Sequence, residues 1–457
     1  MGLIFEHITN FDVVRIFSIN HYLTLHRHRG KGNQMNTKLI VKTILIFIIW
    51  IVMVLTHPLA YACTAFMASD SDTVLVGNNE DYNIPHTRVW FIPAKSGQYG
   101  RVYFGYDCWY PGGGMNDQGL FFDILLTETL EINSSIEKPL FKGDIFDKFM
   151  AECATVKEVL DLFDSYHLEQ MSDFHLLVVD RTGDSVIIER DHTIRKTGSY
   201  QVVTNFLQSQ VGENKQPCEW YKGGCIRYQT AEMMLKDRRA VSVEYFRNIL
   251  EATHQHTLGT RTLYSNIYDL KNGLIYLYYL HNFDNEVIIN LKEELKKGSH
   301  YYEIPSLYGK KVTFGKKEYI HHSPAFRISY PKHYEVVKPE LKEVFRVKHS
   351  LGGLPKLSVS IDDKPQDIPL RDIGEKHYLP ELKKNVATVR IISNIQTKLK
   401  DGTPANEVQF DLMTTDNWPV KILVLSTYHN DNLIYAAIQS LAFPGTLKEY
   451  LYSLRFD

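Results

Sequence analysis

The chain has 457 residues, 51 Lys and Arg against 53 Asp and Glu, and 44% hydrophobic residues. That size predicts two or three domains with real cores, and 23% charged residues in near balance exclude a disordered acidic or basic chain. A net charge of −2 argues against nucleic acid as a partner, and a mean hydropathy of −0.23 excludes a polytopic membrane protein.

The first predicted element is the 13-residue run 43–55, preceded by Lys38 and Lys42 and followed by Ala60-Tyr61-Ala62. A basic start, a short apolar run and an Ala-x-Ala end predict a secretory signal peptide cut after Ala62. The run falls short of the roughly 20 residues of a membrane span, which disfavours a retained anchor. Met35 opens a complete signal by itself, and residues 1–34 show no usable periodicity. Removing 1–62 leaves 45 basic and 51 acidic residues, a net of −6. The expectation is a soluble exported protein, periplasmic or secreted, that meets a membrane only through its signal.

Strands are predicted at 64–68 and 73–77, joined by a Ser-Asp turn, then at 88–92, 101–106 and 119–126. Pro111-Gly112-Gly113-Gly114 reads as a turn. Helices follow at 142–152 and 155–166, strands at 174–180, 185–190 and 200–204, and helices at 224–236 and 242–253. From 301 to 324 the pattern dissolves into Gly, Lys, Tyr and His and predicts a linker. Residues 325–457 read as a smaller α/β accessory domain. Its strands fall at 325–331, 342–348, 357–361, 387–396, 405–413 and 420–427, with a closing helix over 447–456. The fold class is α+β, with a catalytic-sized domain at 63–300.

The cut after Ala62 makes Cys63 the first mature residue. Three uses of that cysteine stand side by side: lipidation, a disulfide, or an N-terminal nucleophile. Lipidation calls for Leu or a similar residue three positions earlier, where Ala60 stands. Setting Cys63 aside leaves Cys108, Cys153, Cys218 and Cys225, an even set suited to an oxidising compartment; Cys218 and Cys225 are near enough in sequence to pair. As a nucleophile, Cys63 carries thiol and α-amine on one residue. An α-amine has a reference pKa near 7.7–8.0, low enough to take the thiol proton and return it to a leaving amine.

Residues 63–82, with Cys63-Thr64 and Gly77-Asn78-Asn79-Glu80-Asp81, resemble the start of the N-terminal-nucleophile hydrolases of the choloylglycine hydrolase and penicillin V acylase family. That family opens with Cys-Thr and reaches Gly-Arg-Asn-x-Asp after two strands. Gly77, Asn79 and Asp81 match; Asn78 stands in place of the Arg. Further similar pieces follow in order at Gly113–Leu120, at Tyr200 through Thr204-Asn205, at Gly224-Cys225-Ile226-Arg227-Tyr228, and at the late paired strands 262–269 and 273–279, covering about 63–300.

The resemblance implies a four-layer αββα sandwich and hydrolysis of a linear amide through a thioester on Cys63, with no cofactor. It implies that Asp81 holds the new N-terminus and that the Asn205 amide donates to the oxyanion. A backbone N–H near Leu126 would be the second donor, and Arg227 would favour the ionised thiol. Each has a plainer reading: Asp81 as a turn cap, Asn205 as a strand end, Arg227 as a surface ion pair. Asn78 removes a fixed charge and Leu126 makes the wall more apolar, so the acyl group stays open. Cysteine-type dipeptidases are the near neighbour. Trp109 and Tyr110, beside the glycine run, are the candidate substrate-pocket residues.

Residues 325–331 and the closing helix resemble small PsbP-like domains. His254-Gln-His256 and His321-His322 lack ligand companions at metal spacing, so no metal is expected. The expected partner is a small-molecule amide, with self-association open. The rival class is an exported binding protein or lipoprotein, in which Cys63 is lipidated or disulfide-bonded.

Overall fold

The computed structural model describes residues 63–83, 85–127, 138–168, 171–190, 192–210, 222–238, 240–257, 260–312, 315–351 and 354–456. The expected signal peptide and Cys218 lie outside these residues. Among the described residues no helix is long and apolar enough to cross a membrane.

In chain order the first strands are β1 (Thr64–Ser69), β2 (Val74–Tyr82), β3 (Thr87–Ile92), β4 (Arg101–Tyr106), β5 (Pro111–Asn116) and β6 (Phe121–Leu126). Helices α1 (Ile145–Glu152) and α2 (Val156–Asp164) follow. Next come β7 (Phe174–Val179), β8 (Ser185–Glu189), β9 (His192–Arg195) and β10 (Tyr200–Thr204). Helices α3 (Lys222–Asp237) and α4 (Val243–Thr253) precede β11 (Arg261–Asp269), β12 (Leu274–Tyr279), β13 (Glu286–Asn290) and β14 (His300–Glu303).

The helices start where side chains satisfy free amides. Asp144 accepts from the N–H groups of Phe146 and Asp147, and Thr155 forms a capping box with Glu158. Ser242 caps α4 through the Tyr245 N–H.

The strands form a six-stranded sheet, β10-β1-β2-β11-β12-β13, and an eight-stranded sheet, β14-β3-β4-β5-β6-β7-β8-β9. Alternation decides which side chains meet. Ala65, Met67 and Val76 of the first sheet share a core with Phe104, Phe121 and Leu177 of the second. Phe66 and Leu75 face the other way, onto Leu235, Phe246 and Ile249 of α3 and α4. Phe122 and Leu176 pack outward on Phe146, Phe149 and Val159 of α1 and α2. The result is four layers, helices outside and two sheets inside, within an α+β fold.

Four expectations need correction. First, β2 runs on through Asp81, so Asn78-Asn79-Glu80-Asp81 lies within a strand and alternates between its faces. Second, the glycine run is not a turn: it forms β5, between β4 and β6, and the turn comes later at Asp117-Gln118.

Third, the expected linker is structured. His300–Glu303 pairs with β3, Glu303 meets the buried Arg88 at 2.6 Å, and Lys316–His322 pairs with Ala325–Pro331. These are edge strands whose polar faces hide the alternation.

Fourth, the C-terminal region is antiparallel throughout, not α/β. Most of its strands join through turns, but a helical stretch over 370–383 carries the chain from Lys356–Asp363 across the sheet to Thr388–Lys398 at its far edge. Asn432–Ser440, absent from the expected strands, lies between Lys356–Asp363 and Pro419–His429. The closing helix shrinks to Lys448–Leu451, after which Arg455–Phe456 adds to the strand at Phe326 and Arg327.

Residues 62–457 cluster as one compact unit. One junction within it is polar. Asp107, after β4, accepts from His349 Nε2 at 2.8 Å and meets His333 Nε2 at 2.9 Å. The bonds from His333 and His349 hold the Asp107 carboxyl well below the usual carboxylate range, against the opposing effect of its burial.

Candidate functional site

The end of β1 presents Cys63, buried at the start of the described chain. Register fixes its surroundings: Thr64 lies opposite Asn79 of β2 on one side and Thr204 of β10 on the other, and Asp81 lies opposite Thr262 of β11. Helix α3 is tied down where the Thr204 hydroxyl donates to the Gly224 carbonyl at 3.0 Å.

That anchor turns Arg227 onto the strand ends. Its Nε donates to Thr64 Oγ1 at 2.8 Å, and one terminal nitrogen donates to the Cys63 carbonyl at 3.5 Å and to Asn205 Oδ1 at 3.1 Å. With Oδ1 so engaged, the Asn205 amide is oriented, and its Nδ2 donates to the Leu126 carbonyl at 2.8 Å. The turn after Asn205 is pinned in addition: Glu189 accepts from the N–H groups of Gln208 at 2.6 Å and Ser209 at 2.9 Å.

Leu126 lies at the exposed end of β6, at 38% exposure. The Thr127 N–H bonds the Asp173 carbonyl, so alternation along the antiparallel ladder turns both polar groups of Leu126 away from β7. The Leu126 N–H thus faces the same side as the carbonyl that Asn205 meets. An amide NH2 offers two donors, and the Leu126 carbonyl uses one.

Asp81 accepts from Gln255 Nε2 at 2.5 Å and from the Thr262 hydroxyl. Burial pushes its carboxyl up to about 6, against the lowering effect of Arg227 and these two hydrogen bonds. The Cys63 thiol lies well above its ordinary range, because of burial first and then Glu80, Asp81 and Asp123; a hydrogen bond from the Asp81 backbone opposes them. Arg227 lies within Coulombic reach of Cys63, the direction expected of it, but burial and the three carboxylates outweigh it at the thiol. Arg227 spends its donors on Thr64, Cys63 O and Asn205, and the charges that dominate around the thiol are negative. Cys63, Asp81, Leu126, Asn205 and Arg227 are thus brought together from five separated places in the sequence.

Trp109 and Tyr110 are placed differently. The Trp109 ring packs on Trp90, Tyr301 and Phe443, with the Arg88 guanidinium 4.5 Å from its centroid. It borders a cavity of about 1110 Å³ between the second sheet and the C-terminal region, and Cys63 is not on that cavity's wall. Trp109 takes φ 64° after Asp107-Cys108, which turns its indole outward. Tyr110 touches both the inner and the outer core and packs on Phe146. Trp109 is thus corrected as a wall of the Cys63 site.

Among the other cysteines, Cys108 lies in the inner core and Cys153 in the outer cluster, each a buried thiol without a disulfide. Asp107, His333 and His349 bring three potential ligand atoms within 4.8 Å of one another. His349 Nδ1, however, accepts the Leu351 N–H at 3.1 Å, which puts the ring proton on Nε2, facing Asp107. A metal on that nitrogen would strip the ring of its last proton, so the cluster reads as a hydrogen-bonded junction.

The sequence reading missed an acidic pair. Asn78 and Glu80 share the inner face of β2, opposite to Asn79 and Asp81. Across the sandwich Asn78 Nδ2 donates to Asp123 of β6 at 2.5 Å, and the Tyr106 hydroxyl of β4 donates to Glu80 at 2.6 Å. The signals were a carboxylate inside the apolar strand Phe121-Phe122-Asp123-Ile124-Leu125 and a second one alternating with Asp81.

Burial pushes Glu80 up to about 7, against the Tyr106 bond and with help from the Asp81 charge. The folded state therefore holds a proton there that the unfolded chain releases near 4.5, and Glu80 contributes stability at acid pH that is lost as pH rises to about 7. Glu80→Gln is expected to unfold like the parent at pH 4 and to exceed it at pH 8 by about 3 kcal/mol, taking about 1.4 kcal/mol per unit. Denaturant melts at the two pH values check this; equal midpoints at pH 8 refute it.

No protein-family model and no curated protein matches the chain. Among solved structures it is similar to a variant of conjugated bile acid hydrolase from Clostridium perfringens, at 17% identity and TM-score 0.43, over 55% of this chain and 99% of that one. Penicillin V acylase from Agrobacterium tumefaciens gives 17% identity and TM-score 0.42, over 53% and 92%. Cyanobacterial PsbP from Synechocystis sp. PCC 6803 gives 16% identity and TM-score 0.27, over 33% and 96%.

Proposed function

We propose that the mature chain begins at Cys63 and hydrolyses a linear, non-peptide or N-acyl amide through a thioester on that residue. The observation that carries this reading is the hydrogen-bonded chain from Cys63 through Arg227 and Asn205 to Leu126. Through the Cys63 carbonyl it ties the residue that carries a buried thiol to an oriented amide, the two parts that acyl transfer needs. A thiol held above its ordinary range stays protonated at rest, so attack requires a base. The α-amine freed by cleavage supplies it, with Asp81 as its acceptor.

The sulfur adds to the carbonyl carbon while the amine takes the thiol proton. The oxyanion draws on Asn205 Nδ2 and the Leu126 N–H. Collapse breaks the C–N bond, and the departing amine takes the proton held by the N-terminus. Water, deprotonated by the same amine, then adds to the thioester and releases the acid and the thiol. Apart from the substrate and water, every group in these steps belongs to the chain.

Intact mass before and after a thiol-reactive probe tests the reading. The expected result is a free-amine chain starting at Cys63 that takes up one label there under native conditions. A lipid-sized increment, or a mature chain still carrying residues before 63, sinks it. The aromatic cavity beside Trp109 favours a second reading, an exported binding protein that uses that groove. The same outcomes that sink the amidase would support it.

A further inference from the structure

The inner core beside Cys63 holds polar groups that the hydrolytic scheme leaves unused. Glu80 and Asp123 are 4% and 2% exposed, and they project toward each other from different sheets. Each has one neutral donor, Tyr106 and Asn78 respectively. Glu80 Oε2 has no hydrogen-bond partner; neither does the hydroxyl of Tyr264, which lies opposite Glu80 in register, nor Asn266 Oδ1, opposite Asn78. Tyr264 and Asn266 are 1% and 0% exposed. Buried polar atoms are nearly always satisfied, so three open ones on one face mark a place for a missing donor.

The backbone makes room for the carboxylates. A Cβ on Gly112 would come within 2.9 Å of Glu80 Oε2, and one on Gly113 within 2.5 Å of Asp123 Oδ1. The glycines of β5 are thus a cradle for the acid pair. Among the described residues no cationic side chain bonds either carboxylate: the partners are Tyr106 and Asn78.

We propose that Glu80 and Asp123 form a subsite for a protonated amine carried on the acyl side of the scissile amide, so that the substrate class is an aminoacyl amide. This rests on Cys63 being the nucleophile. The acyl side is chosen because the site opens to solvent at Leu126, 38% exposed, which assigns the leaving amine to that end, whereas the acid pair lies within the sandwich. An ammonium brings three N–H donors and a charge, matching the open acceptors and offsetting two buried carboxylates. The raised titration of both carboxylates agrees, since a cation is what would return them toward ordinary values. A competing source of the same chemistry is the chain's own α-ammonium at Cys63.

The test compares glycyl and β-alanyl p-nitroanilides with their desamino counterparts, acetyl and propionyl p-nitroanilide, on the mature protein. Release of p-nitroaniline and the mass of acyl-Cys63 are both read. The expected preference for the amine-bearing member is about 10- to 100-fold in kcat/KM, the range for hydrogen bonds to a charged group. Glu80→Gln and Asp123→Asn should each shrink that ratio, whatever they do to the absolute rates. Because the ratio within each pair is also read on the unmutated protein, a variant that fails to fold does not decide the matter. Equal rates with Cys63 acylated by both members overturn the subsite and leave the amidase standing. A preference that survives in both variants, or variants that shift only the pH dependence of both substrates alike, also overturns it, the latter assigning the pair to the α-ammonium. Failure of every compound to acylate Cys63 overturns the amidase and this inference with it.

Discussion

Cys63→Ala is expected to abolish amide hydrolysis, lowering kcat by about 10⁶-fold, the scale seen when the nucleophile is removed from a hydrolase whose other groups remain. The thiol is the only group of the chain that forms a bond to substrate carbon in the scheme, and without it the first tetrahedral intermediate that Asn205 and Leu126 would stabilise does not form. Cys63→Ser keeps an oxygen nucleophile in place but one harder to deprotonate. It should retain little more than the alanine variant, because burial and Glu80, which already hold the thiol proton on, act on a hydroxyl too. The fold should tolerate both changes, since Cys63 lies at the end of β1 and the ladder from Thr64 onward does not use its side chain. Initial rates on an N-acyl p-nitroanilide, read beside the far-ultraviolet dichroism of each variant, check the point. An alanine variant that folds and keeps more than about a hundredth of the parent rate removes Cys63 from the reaction.

What the sequence made legible follows from which physical signals are local. Period-2 and period-3.6 patterns located β4 and β10 to the residue and placed α1 to α4 within a few residues, because each element buries one face. The glycine run defeated the same logic. Glycine is a turn signal in isolation, and the contacts that require a strand without side chains there, Glu80 on Gly112, Asp123 and the Phe122 carbonyl on Gly113, and the Val102 carbonyl on Gly114, come from neighbouring strands rather than from the local pattern. Lys316–His322 was illegible for a different reason: as an edge strand with one wet face it looks like a solvated connection.

At the candidate site, Cys63, Asp81 and Asn205 stand in the sequence as an ordered set after an expected cleavage point, and the register of β1, β2 and β10 brings the strand ends carrying them together. The contact of Arg227 with Asn205 was not legible. A charge near a thiol suggests ionisation, and only the hydrogen-bond pattern shows that this guanidinium is spent on Asn205 and Thr64. The outward turn of Trp109 depends on one left-handed residue, which no periodicity reports.

That contact sharpens the expectation for Asn205. Asn205→Ala should lower kcat by about 10²- to 10³-fold, roughly 3–4 kcal/mol of transition-state stabilisation, with KM little changed. The split follows from the geometry: the Nδ2 donor now spent on the Leu126 carbonyl shows one hydrogen to the protein and keeps the other for charge that appears only after attack. Asn205→Asp is the more telling variant. It keeps the size of the side chain and strengthens the contact with Arg227, but it replaces the donor with an acceptor facing the Leu126 carbonyl and the developing oxyanion. It should therefore be at least as inactive as alanine while remaining folded. Arg227→Lys then separates orientation from charge. A lysine keeps the cation beside Cys63 but cannot span Thr64, the Cys63 carbonyl and Asn205 at once. If kcat falls with the lysine while the thiol-labelling rate holds, the guanidinium acts by aiming Asn205. If labelling falls in step with kcat, it acts on the thiol after all, and the direction argued from the hydrogen bonds is wrong.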